Sequence, residues 1–439
     1  MMRRSRGFTL IELMVSLTCG LLIGAAVVAL SKDATNSFHE EARTATAEMQ
    51  LRTAVERIRN DLLRAGYQSS ANIQVDPFIA KPPSQSTNLP DNTTYAGLGR
   101  LAGIRLYSAG SLANTTKLSS LNDNTQLTPD ALRIAGNFTS TEAYPVRQLD
   151  QGAGACNGQR LWLNMDTPSM WRVRGTPDPD ATMRGMFQPV AGEQFLVRVE
   201  DDTGHFQYVP TCTGVATAGY AANSGVPTAW IDVANAGQFK VLSSVDTQAN
   251  GGASGWGSNL LVNPVQIVQW EIRPLDKGNA GDLAYTPIIQ ADGLKYDLLR
   301  TYVNASGNLT AQTELIAEYA IDLKFGFSAD LGLNATTPRV LTVYGLSDAN
   351  NAKVADDVTK GLTVQPQRIR SVRVRVSTRA GVADRSAGLI APKANTQQDL
   401  YPLRYCILPG GCVAGQTGWT RIRTTTTEVA LPNQGKVFF

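Results

Sequence analysis

The sequence predicts an α+β protein: one long N-terminal helix, with a membrane half and an amphipathic half, packed on a large antiparallel β-rich region of two lobes. The first observation is an apolar run from Phe8 to Leu30, which is long enough to span a bilayer. The second is a helical spacing of apolar residues that continues beyond this run. The third is the rest of the chain, where glycine, proline and short apolar segments favour strands and turns.

The apolar run contains a single acid, Glu12, close to its start. A carboxylate in hydrocarbon is costly unless it has a cationic partner, so an acid at this depth indicates a function. Three arginines precede the run, and Lys32 follows it. By the positive-inside rule, the N-terminus is expected to stay cytoplasmic and the chain after Lys32 to be exported.

The helix is predicted to continue well past the membrane segment. Apolar residues recur there at steps of four, three and four: Leu51, Val55, Ile58 and Leu62. This spacing gives one apolar face that can pack on a folded domain, while charged residues such as Asp61 occupy much of the rest. Gly66 is a suitable residue to end the helix. We therefore predict one helix from Phe8 to Ala65.

Strands are predicted from short apolar or alternating segments in the exported part. The clearest in its first half are residues 104–107, 131–135 and 160–163. Residues 195–199 and 206–209 indicate a hairpin around an acidic turn at 201–204, which lacks the acidic spacing of a calcium loop. Residues 213–225 are expected to form a loop of small residues, and the glycine-rich residues 249–257 to separate two lobes.

The last third of the chain has stronger strand signals. We predict strands at residues 265–273, 296–303, 368–378 and 424–431, and a short helical or turn element leading into a strand within 313–327. The basic run from Arg368 to Arg375 largely alternates with apolar residues. This alternation favours a strand with one solvent-exposed face over a nucleic-acid surface.

Charge and cysteine content limit the possible functions. The net charge of +3 equals the contribution of the three leader arginines, so no large basic surface is expected on the exported part. Four cysteines follow the membrane segment: Cys156, Cys212, Cys406 and Cys412. An even number in an exported chain favours disulfides over zinc, and no CxxC is present.

Four cysteines allow three disulfide pairings, and sequence alone does not choose among them. Cys406 and Cys412 flank a Pro-Gly-Gly turn, which favours a short local loop for that pair. Cys156 would then pair with Cys212.

The sequence indicates no catalytic site, cofactor or metal. Its two histidines supply no HExxH pair, and GxSxG, P-loop and GxGxxG motifs are missing. The acid pairs at 201–202 and 356–357 are expected to be solvated loop residues, although a carboxylate pair for glycoside hydrolysis is compatible with the sequence. We therefore expect the protein not to be an enzyme.

The segment from Gly7 to Glu12, GFTLIE, behind a basic leader resembles the class III signal of type IV pilins and type II secretion pseudopilins. This resemblance implies cleavage between Gly7 and Phe8 by a prepilin peptidase, followed by N-methylation of Phe8. It also implies that Glu12 pairs with the N-terminal amine of a pilin in the filament and sets the register of assembly. The alternatives are a plain signal-anchor helix, or an ordinary secretory signal cut near Ala25 or Ala29.

The order of segments after residue 265 is similar to that of PilW-type minor pilins and, more weakly, of GspJ-type pseudopilins. The segments are YDLLR, ELIAEYAIDLKFGF, RIRSVRVRVSTR and TTTTEVALPN. The resemblance implies a minor pilin that primes type IV pilus assembly and sits in the tip complex, supporting adhesion and twitching motility. The alternatives are a minor pseudopilin of a type II secretion system, and a membrane-anchored periplasmic enzyme or ligand-binding protein that resembles a pilin only at its front.

The same resemblance implies partners and a location. The expected partners are other minor pilins, the major pilin, a PilY-type tip adhesin, the prepilin peptidase and the inner-membrane assembly platform; no nucleic acid is directly indicated. The protein would be single-pass in the inner membrane with a periplasmic globular part, and then part of the pilus tip. The predicted domains are a leader (1–7), a membrane or filament-core helix (8–33), the amphipathic half of that helix (34–66), a variable β-rich insertion (67–257) and a PilW-like C-terminal β domain (258–439).

Overall fold

The structure is a computed structural model of the chain. It describes residues 9–79, 101–107, 127–151, 156, 158–201, 204–223, 226–234, 260–289, 295–330, 340–346, 351, 355, 365–384, 387–390, 393–395, 400–408, 412 and 418–434. The chain divides into two compact units, residues 1–49 and residues 50–439.

Helix α1 (Leu10–Leu63) is continuous over 54 residues and crosses the division between the two units. We call residues 10–49 its front segment and residues 50–63 its rear segment. Its end agrees with the prediction within two residues: Arg64 and Ala65 donate backbone bonds three residues back, and Gly66 follows with a φ of 71°. This left-handed conformation is the one that commonly terminates helices and that glycine adopts without strain.

The larger sheet of the described chain has eleven antiparallel strands. They are β1 (Ile104–Tyr107), β2 (Ala131–Gly136), β3 (Tyr144–Gln151), β4 (Gln159–Leu163), β5 (Leu196–Glu200), β6 (Phe206–Pro210), β7 (Ala218–Asn223), β8 (Val226–Val233), β9 (Leu261–Arg273), β10 (Asp297–Val303) and β11 (Leu309–Ala317). The long strand β9 joins two parts of this sheet. Its C-terminal half pairs with β2 and β10, and its N-terminal half pairs with β3 and β5.

The second sheet has five antiparallel strands in the order β13-β12-β14-β18-β17. They are β12 (Ala320–Asp330), β13 (Leu341–Val343), β14 (Ile369–Arg379), β17 (Arg404–Cys406) and β18 (Trp419–Ala430), and a small ribbon pairs β15 (Lys393–Asn395) with β16 (Leu400–Pro402). One long helix and a large antiparallel β-rich region confirm the predicted α+β class.

Two short helices pack beside the larger sheet, and neither was predicted from the sequence. They are α2 (Pro168–Arg174) and α3 (Pro179–Phe187). Each begins with a capping residue followed by proline: Thr167 accepts a bond from the Met170 amide, and Asp178 from the Ala181 amide. This pairing of cap and proline is a standard helix-start signal, so both starts were readable from sequence. Short 3₁₀ helices lie at Ala280–Ile288, Pro366–Arg368 and Ala387–Leu389.

The largest hydrophobic core lies among the rear segment of α1, the β1-β2-β9-β10 part of the first sheet and the five-stranded sheet. All four residues of the predicted helix face are buried in it: Leu51, Val55, Ile58 and Leu62. A second core lies between α2, α3 and the part of the first sheet that contains β3, β4, β5 and β8.

Three predictions within these elements were wrong. Residues 213–225 are not all loop, because Ala218–Asn223 form β7. Residues 313–317 are not helical or turn but belong to β11, since cross-strand pairing with β10 outweighs their local preferences. Arg375 does not lie on a wet face: it is buried and bonded to Asp322. The proposed boundary at 249–257 lies outside the described residues.

Candidate functional site

The start of α1 is organised by its one acid, Glu12. The Glu12 carboxylate accepts two bonds from Thr9, from the backbone amide and from the hydroxyl, both at 3.0 Å. The Glu12 amide donates back to the Thr9 hydroxyl at 3.3 Å. This is a capping box, in which two otherwise unpaired amides at a helix start are satisfied. In the single chain, therefore, Glu12 is held by its own helix. Gly7 and Phe8, the predicted cleavage and methylation residues, lie outside the described part of the chain.

The front segment of α1 presents its apolar side chains outward. Every residue from Leu10 to Thr35 is exposed within the single chain. The hydroxyls of Ser16 and Thr18 bond to helix carbonyls one turn back, which satisfies them without water. The helix is long and apolar enough to cross a membrane. A surface of this kind requires lipid or other apolar helices around it.

The rear segment of α1 is held in the β region (residues 66–439) by a buried ion pair. The Asp61 carboxylate accepts from the guanidinium of Arg300 on β10 at 2.7 Å and from the indole of Trp270 on β9 at 3.0 Å. Asp61 and Arg300 are each only 5% exposed. We call these three residues the helix clamp. The helical spacing had placed Asp61 away from the apolar face, and the structure shows it buried.

Two further charged residues, Glu314 and Arg57, connect the clamp to the protein surface. Arg300 also bonds to Glu314 on β11, which in turn pairs with Arg57 one helical turn before Asp61. Burial alone would lower the pKa of Arg300, but attraction to the Asp61 carboxylate raises it overall. The guanidinium is therefore charged at any physiological pH.

Residues from the end of the chain bind the end of α1. The Asn433 side chain donates to the carbonyl of Leu63 at 2.9 Å, one of the carbonyls that a helix end leaves unpaired. Arg370 on β14 donates to the carbonyl of Gln434 at 2.8 Å, which fixes this C-terminal segment to the second sheet. Gly66 bonds to Ala135 on β2 through its amide at 2.8 Å. The helix end is thus fixed from both sheets.

Both expected disulfides are present. Cys156 is bonded to Cys212 with their Cα atoms 5.7 Å apart, and Cys406 to Cys412 with theirs 5.6 Å apart. The first closes a long segment between the β3–β4 connection and the end of β6, and the second closes a short loop after β17. Disulfides of this kind persist in oxidising compartments.

The described ends of the acidic segment, Asp201 and Gly204, are joined by a bond from the Gly204 amide to the Asp201 carbonyl at 3.2 Å. The Asp201 carboxylate accepts from the His205 amide at 2.9 Å, and β5 pairs with β6 as the sequence predicted. Asp202 and the acid pair at 356–357 lie outside the described residues. Within the described ranges, no group of three His, Cys, Asp or Glu side chains is placed to hold a metal ion.

The helix clamp was not predicted from the sequence. Its partners are 239 residues apart in sequence, so no local pattern links Asp61 to Arg300. One signal was available: Arg300 is the arginine of the YDLLR segment and directly follows the apolar pair Leu298 and Leu299. A buried cation needs a buried anion. Asp61 directly precedes Leu62 of the apolar face of α1, so its side chain can reach the same core.

Comparison with known proteins identifies the start of the chain. Residues 2–28 match the family described as the prokaryotic N-terminal methylation motif. No curated protein and no solved structure matches the chain significantly. The motif supports a type IV pilin-like or pseudopilin-like protein and implies processing by a prepilin peptidase and assembly with pilus components. Together with the exposed apolar helix, it indicates membrane anchoring.

Proposed function

We propose that this protein is a PilW-type minor pilin that primes type IV pilus assembly and sits in the tip complex. A prepilin peptidase cuts between Gly7 and Phe8, and Phe8 is then N-methylated. The front segment of α1 anchors the chain in the inner membrane with the β region in the periplasm, and later packs in the filament. The two disulfides support this orientation, because the periplasm is oxidising.

One observation carries the proposal: a single helix is apolar and uncovered at its front and clamped into a folded β region at its rear. The clamp fixes the rear segment of the helix within the compact unit of residues 50–439. The front segment leaves its apolar side chains uncovered. This arrangement suits a subunit that assembles through its helix and presents its β region at a surface.

Glu12 is proposed to set the register of assembly. In hydrocarbon a carboxylate needs a cationic partner, and the Thr9 bonds provide hydrogen bonds but no charge. The free N-terminal amine of a neighbouring subunit supplies that charge. Exchange of the Thr9 bonds for this ion pair would couple correct helix position to satisfaction of a buried charge.

Priming has a physical basis. The first associations of a filament are costly because each subunit loses freedom before many contacts form. A preformed complex of this protein with other minor pilins and a PilY-type adhesin removes that step, and the major pilin then adds to it from the assembly platform. Adhesion and twitching motility would follow from the completed pilus. We also propose the domain limits that the sequence predicts, which are residues 33, 66 and 257.

Deletion of the gene tests the proposal, with surface pili and secreted exoproteins scored in the same cultures. Loss of pili with normal secretion is the expected result. Normal pili with lost secretion would assign the protein to a type II secretion system as a GspJ-like pseudopilin and remove the tip adhesin as a partner. Normal pili and normal secretion would contradict both assignments.

A paired substitution tests the role of Glu12. The Glu12→Ala variant should be cleaved normally, shown by an intact mass that lacks residues 1–7, but should be depleted from sheared filaments on immunoblots. The matched control is Thr9→Val, which removes the capping hydroxyl and keeps the acid; it should still enter filaments. Normal incorporation of Glu12→Ala, or equal loss of both variants, would contradict the register role.

A further inference from the structure

The outward face of the β3-β4-β8-β7 part of the first sheet carries tryptophans where a wet strand face normally carries polar residues. Along β4, Leu161 and Leu163 belong to the core, while Arg160 and Trp162, which alternate with them, are only partly buried. On the neighbouring strand β8, Trp230 lies directly opposite Trp162. The core residues of β4 and β8 are Leu161, Leu163, Ala229, Ile231 and Val233, and the two indoles are not among them.

The two indoles and one guanidinium form a compact group. The ring centroids are 6.1 Å apart and the ring planes are inclined by 57°. The guanidinium carbon of Arg160 lies 5.3 Å from the centroid of each ring. Asp232 fixes that guanidinium with two bonds, to Nε at 2.7 Å and to Nη2 at 2.8 Å. Arg160 therefore contacts both rings and is itself held by Asp232.

Polar groups fix the edge of this face. The Trp162 indole donates to Asp150 on β3 at 2.6 Å, and the Gln148 amide donates to the same carboxylate at 2.6 Å. These two bonds use about half of the acceptor positions of a carboxylate. On the far side, Gly219 of β7 leaves room for Trp230: a Cβ there would lie 2.5 Å from the ring. We call Trp162, Trp230, Arg160 and Asp150 the tryptophan face.

We infer that the tryptophan face is a binding site for a neutral carbohydrate. Sugar rings stack their C–H faces on aromatic rings, and their hydroxyls donate to carboxylates; this face carries two partly exposed indoles and the partly exposed Asp150 carboxylate on paired strands. Its charge argues against acidic sugars. Asp232 neutralises Arg160, and the Asp150 carboxylate adds a negative charge, so an anionic ligand would be repelled.

This inference goes beyond the proposed assembly role and does not depend on it. The site lies within the compact unit of residues 50–439 and involves neither Glu12 nor the membrane segment. A failure of the site would leave the pilus assignment intact, and a failure of the pilus assignment would leave the site intact.

Binding is tested by calorimetry on the purified full-length protein in detergent. The probes are neutral hexasaccharides of glucose, mannose, galactose and N-acetylglucosamine, with oligogalacturonate and oligoalginate as the anionic comparison. We expect at least one neutral probe to bind with a dissociation constant on the order of 0.1–1 mM, the range of a single shallow site, and the anionic probes not to bind.

Three variants locate the site. Trp162→Ala and Trp230→Ala should each weaken binding about tenfold or more, and Trp230→Tyr should keep part of the affinity because a ring face remains. Trp171→Ala is the matched control: Trp171 is 57% exposed on α2, away from this face, and its loss should change nothing. Thermal unfolding of each variant shows whether it is folded.

Several results would overturn the inference. They are no binding of any neutral probe to the wild-type protein up to about 10 mM, roughly tenfold above the weakest expected dissociation constant; binding of the anionic probes only; and unchanged affinity in both tryptophan-to-alanine variants. Loss of thermal stability in those variants without any wild-type binding would show that the indoles serve only as a cross-strand ladder.

Discussion

Removal of Asp61 would leave the buried Arg300 with only Glu314, whose side chain is 43% exposed, as an anionic partner. Breaking a buried pair by removing one partner typically costs about 3–5 kcal/mol, because the remaining charge stays desolvated. Asp61→Ala should therefore lower the free energy of unfolding by about that amount, measured by urea denaturation of the full chain in detergent. Trp270 would also lose the acceptor for its indole N–H.

A neighbouring pair provides the control for this prediction. Arg57 and Glu314 are joined at 3.2 Å, but their side chains are 45% and 43% exposed. Exposed pairs contribute about 0–1 kcal/mol, so Arg57→Ala should have little effect. Equal losses of stability in the two variants would show that burial does not decide the strength of the clamp.

Asp297 predicts a pH dependence of stability. It is almost fully buried at the start of β10, with Lys295 at 3.6 Å and the Tyr319 amide bonded to it at 2.9 Å. Burial raises the pKa of Asp297 from 3.8 to about 6, against the opposing effect of Lys295. The folded protein therefore binds a proton more tightly than the unfolded chain between about pH 4 and pH 6.

As the pH falls from 7 to 4, the contribution of Asp297 to stability should rise, by about 3 kcal/mol at most at 1.36 kcal/mol per pKa unit. Asp297→Asn should abolish this part of the pH dependence and be at least as stable as the wild type at pH 7. The measurement is the difference in unfolding free energy between the two proteins at pH 4.5 and pH 7.5. Parallel curves for both proteins would contradict the raised pKa.

At the scale of elements, two glycines near the end of α1, Gly66 and Gly136, are required for different physical reasons. At Gly66 an added Cβ would find ordinary space, 3.5 Å from Gln434, so Gly66→Ala should cost only the left-handed backbone strain, about 1–2 kcal/mol. At Gly136 on β2 the Cβ would lie 2.3 Å from the carbonyl oxygen of Arg64, so Gly136→Ala should cost more.

Gly185 in α3 is the matched control for these two substitutions. An added Cβ would have no neighbour within 4 Å, and the residue sits inside a helix. Gly185→Ala should therefore stabilise the protein, by about 0.5–1 kcal/mol. Thermal unfolding midpoints of the three variants give the order directly; a loss of stability in Gly185→Ala would contradict the assignment of α3.

Elements with a long or regular pattern were predictable, and elements set by distant partners were not. The helix α1, the strand β9 and the β5–β6 hairpin each carry their own periodicity or turn signal. Strand β7, in contrast, consists mostly of small residues, and it forms because β8 pairs with it. The end of β11 was misassigned for the same reason, since β10 determines its conformation.

The residues of the candidate site also fall into two groups, those that local sequence predicts and those that depend on distant partners. Glu12 and the two disulfides were found because an acid in an apolar run, and cysteines in an exported chain, are visible locally. The capping bonds of Glu12 could also have been read, because Thr9 and Glu12 have the spacing of a capping box. The clamp and the tryptophan face depend on strand register, which no single segment specifies.

For the molecule as a whole, the two disulfides should contribute unequally. In the chain-entropy description, closure of the longer loop, with a sequence separation of 56, is worth about 4 kcal/mol, and closure of the loop with a separation of 6 about 2 kcal/mol. The Cys156→Ser/Cys212→Ser double variant should thus lose more stability than Cys406→Ser/Cys412→Ser. Urea denaturation of both variants, with and without reductant, measures the difference; the reverse order would show that local contacts outweigh loop length.

The binding of Asn433 to the end of α1 has a consequence for how the protein is made. The carbonyl of Leu63 is bonded by a residue 370 positions later, and Asp61 by one 239 positions later. Contacts of such separation form slowly, since nearly the whole chain must be brought together first. A ribosome releases the helix long before it releases Asn433, so the apolar front segment leaves the ribosome while the structure that will hold its rear segment does not yet exist.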